Sequence, residues 1–156
     1  MSVKTVGNIR FENAQILWPN FLGRPDKYNP QGGKITFGVK IPDNDIAQAL
    51  IADGWNVKLR APQEEGDTAF HYMNVEAKYG MYPPKIYMVT RRNGPVLLDE
   101  TTIGNLDSVE IKCADLEVRP YCYDDEHIKA YVKTMYVVIE EDSFAAKYAN
   151  WGADSV

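Results

Sequence analysis

Residues 34–41, with the sequence KITFGVKI, alternate strictly between apolar and polar side chains. This period of two is the period of a β-strand, and it is incompatible with a helix over the same stretch. We therefore predict a half-buried strand with one apolar face and one basic face. The apolar face comprises Ile35, Phe37, Val39 and Ile41, and the opposite face comprises Lys34, Thr36, Gly38 and Lys40.

The loop that precedes this strand, residues 23–33, is rich in turn-forming Gly, Pro, Asp and Asn. It also carries Arg24, Lys27 and Tyr28. A loop that carries cations and an aromatic ring, followed directly by a strand with a basic face, favours a groove that binds a polyanion. The alternative is an ordinary edge strand, whose solvated lysines discourage pairing with other chains.

Alternating patterns recur along the rest of the chain and predict six or seven strands in total. In the first of these stretches we predict a bulge or bend at Glu12-Asn13 and an end at Pro19. In a later stretch Pro120 cannot donate to a ladder, which predicts an edge or bulged strand. Besides 34–41, the predicted strands cover residues 8–18, 55–60, 70–78, 85–91, 116–123 and 128–139, and residues 109–111 are a candidate for one further short strand.

Two helices complete the prediction. The internal helix has about ten residues, with Asp43 or Asn44 as its N-cap and Gly54 as its C-terminal stop. Its apolar face should comprise Ile46, Ala49 and Leu50, and residues 99–107 form a polar connection with one helical turn. A second helix follows from about residue 142. We predict a mostly β fold class, a β-barrel or curved sheet that is OB-fold-like, and a single domain over residues 1–156.

The net charge of −5 argues against a polyanionic partner, but the distribution of charge matters more than the sum. The acidic residues gather in loops and at the ends of predicted elements. The polar strand faces collect cations and phenol rings, a combination that suits single-stranded nucleic acid. These faces comprise Lys34, Lys40, Lys58, Arg60, Arg119, Lys129 and Lys133, together with Tyr121, Tyr123 and Tyr131.

Other functions receive less support from the sequence. There is no apolar run long enough to span a membrane and no hydrophobic signal region, so we expect a cytosolic protein. Cys113 and Cys122 are nine residues apart without metal-ligand spacing, and we expect reduced thiols, no metal and no cofactor. No phosphate-binding or hydrolase motif occurs. A nuclease would need clustered carboxylates, but Asp99-Glu100 and residues 124–126 fall in apparent loops, where solvation explains them.

Eight short motifs are spread along the chain: WPNF at 18–21, DKYNP at 26–30, FGVKI at 37–41, DGWNV at 53–57, PPKIY at 83–87, LLDE at 97–100, RPY at 119–121 and KTMY at 133–136. With these motifs the chain resembles, from about residue 8 to residue 148, a family of single-stranded DNA-binding proteins encoded by tailed bacteriophages. The resemblance implies an OB-type fold, with residues 1–156 as one nucleic-acid-binding domain, and a role in phage replication or recombination in the bacterial cytoplasm. It leaves self-association and phage or host proteins open as further partners.

The resemblance also suggests which residues contact DNA. One departure is that the sequence ends WGADSV, with one acidic residue after Asp142, whereas many such proteins recruit partners through a long acidic tail. We therefore expect no recruitment through such a tail, unless residues 140–142 do that work. A phage structural or assembly protein, with the β-rich body as an oligomer interface, is the alternative. The matching positions most compatible with a DNA role are Lys27, Tyr28, Lys34, Lys85, Tyr87, Arg119, Tyr121 and Lys133.

Overall fold

The alternating stretches form the strands of one large mixed sheet. The structure is a computed structural model that describes residues 7–25, 30–80, 83–90, 94–122 and 128–140. The strands are β1 (Ile9–Ala14), β2 (Ile16–Asn20), β3 (Ile35–Ile41), β4 (Val57–Arg60), β5 (Phe70–Ala77), β6 (Lys85–Val89), β7 (Pro95–Leu98), β8 (Ile111–Cys122) and β9 (Ile128–Ile139).

The main hydrogen-bonded order of the sheet is β1-β8-β9-β5-β3-β2. Strand β4 pairs with β5, and the β6–β7 hairpin joins through β6 to β9. The twelve-residue β9 is the central element, because β8 pairs along one edge while β5 and β6 share the other. Strand β9 is therefore shared by two parts of one sheet.

The predicted closed barrel is not confirmed. Within the described residues the sheet is open, with β1 and β2 at opposite ends of the order. Only Gln15 separates these two strands in the chain, yet β1 pairs with β8 and β2 pairs with β3. Strands β1 and β2 therefore hydrogen-bond to different neighbours rather than to each other, and the sheet curves without closing.

One of the two predictions about proline was wrong. Pro19 does not end a strand; it lies inside β2, which is an end strand of the sheet and carries a register shift there. Pro120 was predicted to mark an edge or bulged strand; β8 is not an edge strand, because both β1 and β9 pair with it, but its ladder with β9 has a register shift between Glu117 and Val118, which confirms the bulge. The ladder with β1 extends only to Val118, so the missing amide of Pro120 interrupts nothing on that side.

One face of the sheet is buried and holds the core. Inward-facing side chains such as Phe37, Met73, Val118 and Met135 are almost fully buried there. The internal helix α1 (Asn44–Asp53) packs against it and has the predicted caps, Asp43 and Gly54. Its buried residues are Ala47 and Leu50, so the predicted face was partly wrong, and Ile46 is exposed.

The connection after β7 forms a 3₁₀ helix, Ile103–Ser108, near the predicted helical turn. Strand β7 itself was not predicted, since Pro95 and only four residues give a weak pattern. None of the described helices has the length and apolar character to cross a membrane. The predicted C-terminal helix lies outside the described residues.

Candidate nucleic-acid interface

The face of the sheet opposite the core carries most of the predicted cations. Residues that pair directly across two strands project to the same face, so the register fixes which side chains are neighbours. Lys40 and Lys58 both pair with Tyr72, and Arg60 pairs with Phe70. Farther along β5, Glu76 pairs with Tyr131 of β9, which in turn pairs with Arg119 of β8. We call this surface the outer face.

An aromatic cluster lies on the β2–β3–β5 part of the outer face. Trp18 packs edge-on against Tyr72, with ring centroids 5.0 Å apart, and lies 6.4 Å from the ring of Phe70. The Arg60 guanidinium carbon lies 5.1 Å from the centroid of Trp18, and the Lys40 ammonium lies 4.9 Å from that of Phe70. We call these five residues the tryptophan cluster. It combines stacking surface with cations, as a single-stranded nucleic acid requires.

Lys40 and Arg60 are available to an anionic partner. Within the part of the chain that the structure describes, neither side chain forms an ion pair. Both line an open cavity of about 260 Å³ beside Phe70, and Asp67 is the acidic residue at its rim. A phosphate at this cavity would meet two cations.

The second group of predicted residues lies where β8 and β9 pair. The rings of Tyr121 and Tyr131 meet edge to face at 5.9 Å, and Tyr121 is 54% exposed. Arg119 pairs with Tyr131 on the same face. Partial burial, reinforced by the carboxylate of Glu76, raises the pKa of Tyr131, so the phenol stays neutral at physiological pH. This group therefore offers two aromatic rings beside a guanidinium.

Lys133 belongs to a charge-balanced site rather than to a free basic patch. Its ammonium lies 3.2 Å from the carboxylate of Glu117, which also accepts hydrogen bonds from Asn8 and Arg10. The hydrogen bond from Asn8 and the proximity of Lys133 lower the pKa of Glu117, which keeps the carboxylate ionised. The adjoining cavity, about 390 Å³, is also lined by Glu12 and Asp115. Its mixed charge makes it a poor phosphate track.

Lys85 and Tyr87 extend the outer face onto β6, because they pair with Thr134 and Tyr136 of β9. Lys85 is exposed, and the Tyr87 ring stacks on Tyr136 with centroids 4.8 Å apart. The other predicted residues are dispersed. Arg24 pairs with Asp107 at 3.8 Å, in the chain segment after β2. Lys34 is exposed next to Gly33, whose amide bonds to Gly23. Lys27, Tyr28 and Tyr123 lie outside the described residues.

Sequence reasoning missed three rings of the site, Trp18, Phe70 and Tyr72. The alternation of β5 already placed Tyr72 on its polar side. A further signal is Gly38, which leaves a gap in the polar face of β3 where another group can approach closely. A Cβ at position 38 would lie only 3.2 Å from Cε3 of Trp18. Within the described residues, no three His, Cys, Asp or Glu side chains are arranged to hold a metal ion.

An open β-sheet with cations and rings on its solvent face defines a class of candidate nucleic-acid-binding proteins. The sequence matches the family model of a putative phage ssDNA-binding domain over residues 1–154. The chain therefore belongs to this family. A comparison with curated protein sequences gives no match.

Solved structures are similar in fold. One is the single-stranded DNA-binding protein from bacteriophage Enc34, with a TM-score of 0.55 and 12% sequence identity over 88% of this chain and 84% of that one. Another is the same phage protein in complex with ssDNA, with a TM-score of 0.57 and 13% identity over 88% and 89% of the two chains. At this level of identity the likeness concerns the fold.

Proposed function

We propose that this protein is a non-catalytic, sequence-tolerant single-stranded DNA-binding protein that acts in phage DNA replication or recombination. Residues 1–156 would form one OB-like domain that works in the cytoplasm of the bacterial host. Self-association and contacts with phage or host replication proteins belong to the same proposal. Membership of the phage ssDNA-binding family supports it.

The observation that carries the proposal is the pairing of strands that places cations and rings on one face. Lys40 and Arg60 lie over rings of the tryptophan cluster, and Arg119 lies beside Tyr131 on the same face. Cations attract phosphates regardless of sequence, and every base has a flat surface that can stack. Bases in a duplex already stack on each other, so exposed rings favour single strands.

The binding experiment uses the full chain and a fluorescent oligo-dT of about thirty nucleotides, which exceeds the site size of a single OB-type domain. Anisotropy at low salt should show binding that weakens as salt increases, with a slope of about 0.7 for each neutralised phosphate. Unlabelled single strands of mixed sequence should compete, and duplex of equal length should compete poorly. Absence of binding to oligo-dT at low salt would refute the proposed function.

A second candidate function is a phage structural or assembly protein. It is favoured by an exposed apolar area on the β6–β7 hairpin, where Leu97 is 58% exposed and Val96 is also exposed. Leu97 pairs with Tyr87, whose ring stacks on Tyr136, so this area adjoins an aromatic pair. Detection of the protein in purified virions, without affinity for DNA, would select this function over the first.

A further inference from the structure

We infer that Trp18 is a preformed stacking site for one unpaired nucleobase, and that Gly38 is the positioning residue that keeps this site open. The inference rests on the proposed function. It adds a binding residue and a positioning residue that lie outside the set predicted from sequence.

Trp18 has an unusual backbone conformation. Its φ of 47° lies in the left-handed region, which bulky residues rarely adopt. The cause is a bulge in β2, because Leu17 pairs with Gly38 and Asn20 pairs with Thr36, leaving Trp18 and Pro19 opposite Phe37 alone. Strain of this kind persists where the surrounding structure enforces it, and it concentrates at binding sites. Here the bulge places a large ring, 48% exposed, on the outer face.

Gly38 is needed for space rather than for its backbone flexibility. It lies within the regular β3 ladder and has no positive φ, so alanine could adopt the same backbone conformation. A Cβ at this position would lie 3.2 Å from Cε3 and 3.4 Å from Cζ3 of Trp18, and 3.3 Å from the Cβ of Leu17. The indole and the Cβ of Leu17 therefore occupy the space that any side chain at position 38 would take.

The groups around the indole indicate which ligand it accepts. The Arg60 guanidinium lies over the ring in the free protein, and Lys40 lies over neighbouring Phe70. A base that stacks on Trp18 displaces the guanidinium, which then reaches a flanking phosphate. An apolar protein segment would use the ring but leave both cations unmatched. A base with its phosphates satisfies the ring and the cations together.

The test measures binding of the full-length protein to fluorescent oligo-dT. Trp18→Ala should raise Kd on the order of tenfold to a hundredfold, and Trp18→Phe should raise it less because a smaller ring remains. Gly38→Ala should also raise Kd. In a Trp18→Ala background Gly38→Ala should raise Kd by a smaller factor, because the contact with the indole is gone and only the contact with the Cβ of Leu17 remains. A general structural defect at position 38 would instead raise Kd by the same factor in both backgrounds.

Fluorescence gives an independent readout. Oligo-dT should quench part of the tryptophan emission of the wild type, and this part should be missing in Trp18→Phe. Trp55 is buried, 3% exposed, so stacking cannot quench it directly, and Trp151 is retained in Trp18→Phe, so any quenching of Trp151 persists in that variant. Thermal melting shows whether each variant folds. If Gly38→Ala does not fold, Trp18→Phe still tests whether the Trp18 indole stacks on a base.

The experiments distinguish failure of the stacking site from failure of the proposed function. If wild type binds oligo-dT but Trp18→Ala binds equally well, the stacking site is refuted and the proposed function stands. If wild type does not bind, the proposed function itself is refuted. If polyglutamate displaces DNA at equal charge and quenches the Trp18 emission equally, the site takes acidic chains in general, and the assignment to a base is wrong.

Discussion

Glu117 and Lys133 form an ion pair between neighbouring strands, with a carboxylate oxygen 3.2 Å from the ammonium nitrogen. The same carboxylate accepts hydrogen bonds from Asn8 and Arg10. The β1–β8–β9 part of the outer face is therefore less positive than the predicted strand faces suggest. The tryptophan cluster, whose cations have no such partner in the described residues, is the more strongly basic part.

Glu117→Gln should strengthen DNA binding. The change removes a negative charge from the outer face and releases Lys133 and Arg10 toward phosphates. We expect Kd to fall roughly twofold to fivefold, the range that an exposed ion pair is worth. The salt slope should steepen by at most about 0.7 for each released cation. Glu110→Gln, the same change at another exposed position, is the control, and unchanged affinity would place this region outside the DNA path.

The stability contributed by Glu117 should depend on pH in a defined direction. Its folded-state pKa lies below the ordinary value of 4.5, through the hydrogen bond from Asn8 and the proximity of Lys133. Its interactions are therefore fully present above about pH 4.5 and disappear as pH falls through the folded-state pKa. The Tm difference between wild type and Glu117→Gln should be present at neutral pH and vanish in strong acid. A difference independent of pH would contradict this.

Substitutions at position 18 should reveal the left-handed backbone. Glycine adopts this conformation without strain, whereas alanine does not. Trp18→Gly should therefore be more stable than Trp18→Ala by about 1 kcal/mol in urea unfolding. Tyr72, in the regular strand β5, is the matched control, where the alanine variant should be the more stable one. If the glycine and alanine variants had the same order of stability at positions 18 and 72, the result would argue against the bulge.

Asp107 should matter more to stability than the arginine it pairs with. Its side chain is only 6% exposed and accepts hydrogen bonds from the amides of Phe21 and Leu22, both at 2.9 Å. Asp107→Ala leaves both donors without this partner and should cost about 1–3 kcal/mol. Arg24→Ala removes a largely exposed ion pair and should cost less than about 1 kcal/mol. Urea unfolding measures the loss of stability in both variants. Equal losses would refute the prediction that Asp107→Ala is the more destabilising change.

Charge reversal should locate the DNA path along the outer face. Lys34→Glu and Arg119→Glu should each weaken binding to oligo-dT and flatten its salt dependence, because each removes an attraction for phosphate. Neither change should unfold the protein, since neither residue belongs to the core. Lys112→Glu is the control, because it lies seven residues from Arg119, roughly 24 Å along β8. Equal effects at all three positions would indicate a nonspecific effect of net charge.

Much of the secondary structure could be predicted because its causes are local. The alternation of 34–41 and 128–139 specified β3 and β9 to within a residue, and Asp43 and Gly54 marked the ends of α1. Predictions failed where the outcome depended on a distant partner. Leu59 follows the apolar alternation but is 62% exposed, because the short strand β4 pairs only with β5.

The sequence by itself determined which residues alternate, and hence that basic and aromatic side chains share the polar faces of several strands. Only the tertiary structure decided how those faces join. The parallel pairing of β5 with β9, the approach of Trp18 to Gly38 and the neutralisation of Lys133 by Glu117 each unite residues far apart in the chain. Periodicity is a property of neighbouring residues, whereas these contacts depend on the register between distant strands, which local patterns do not encode.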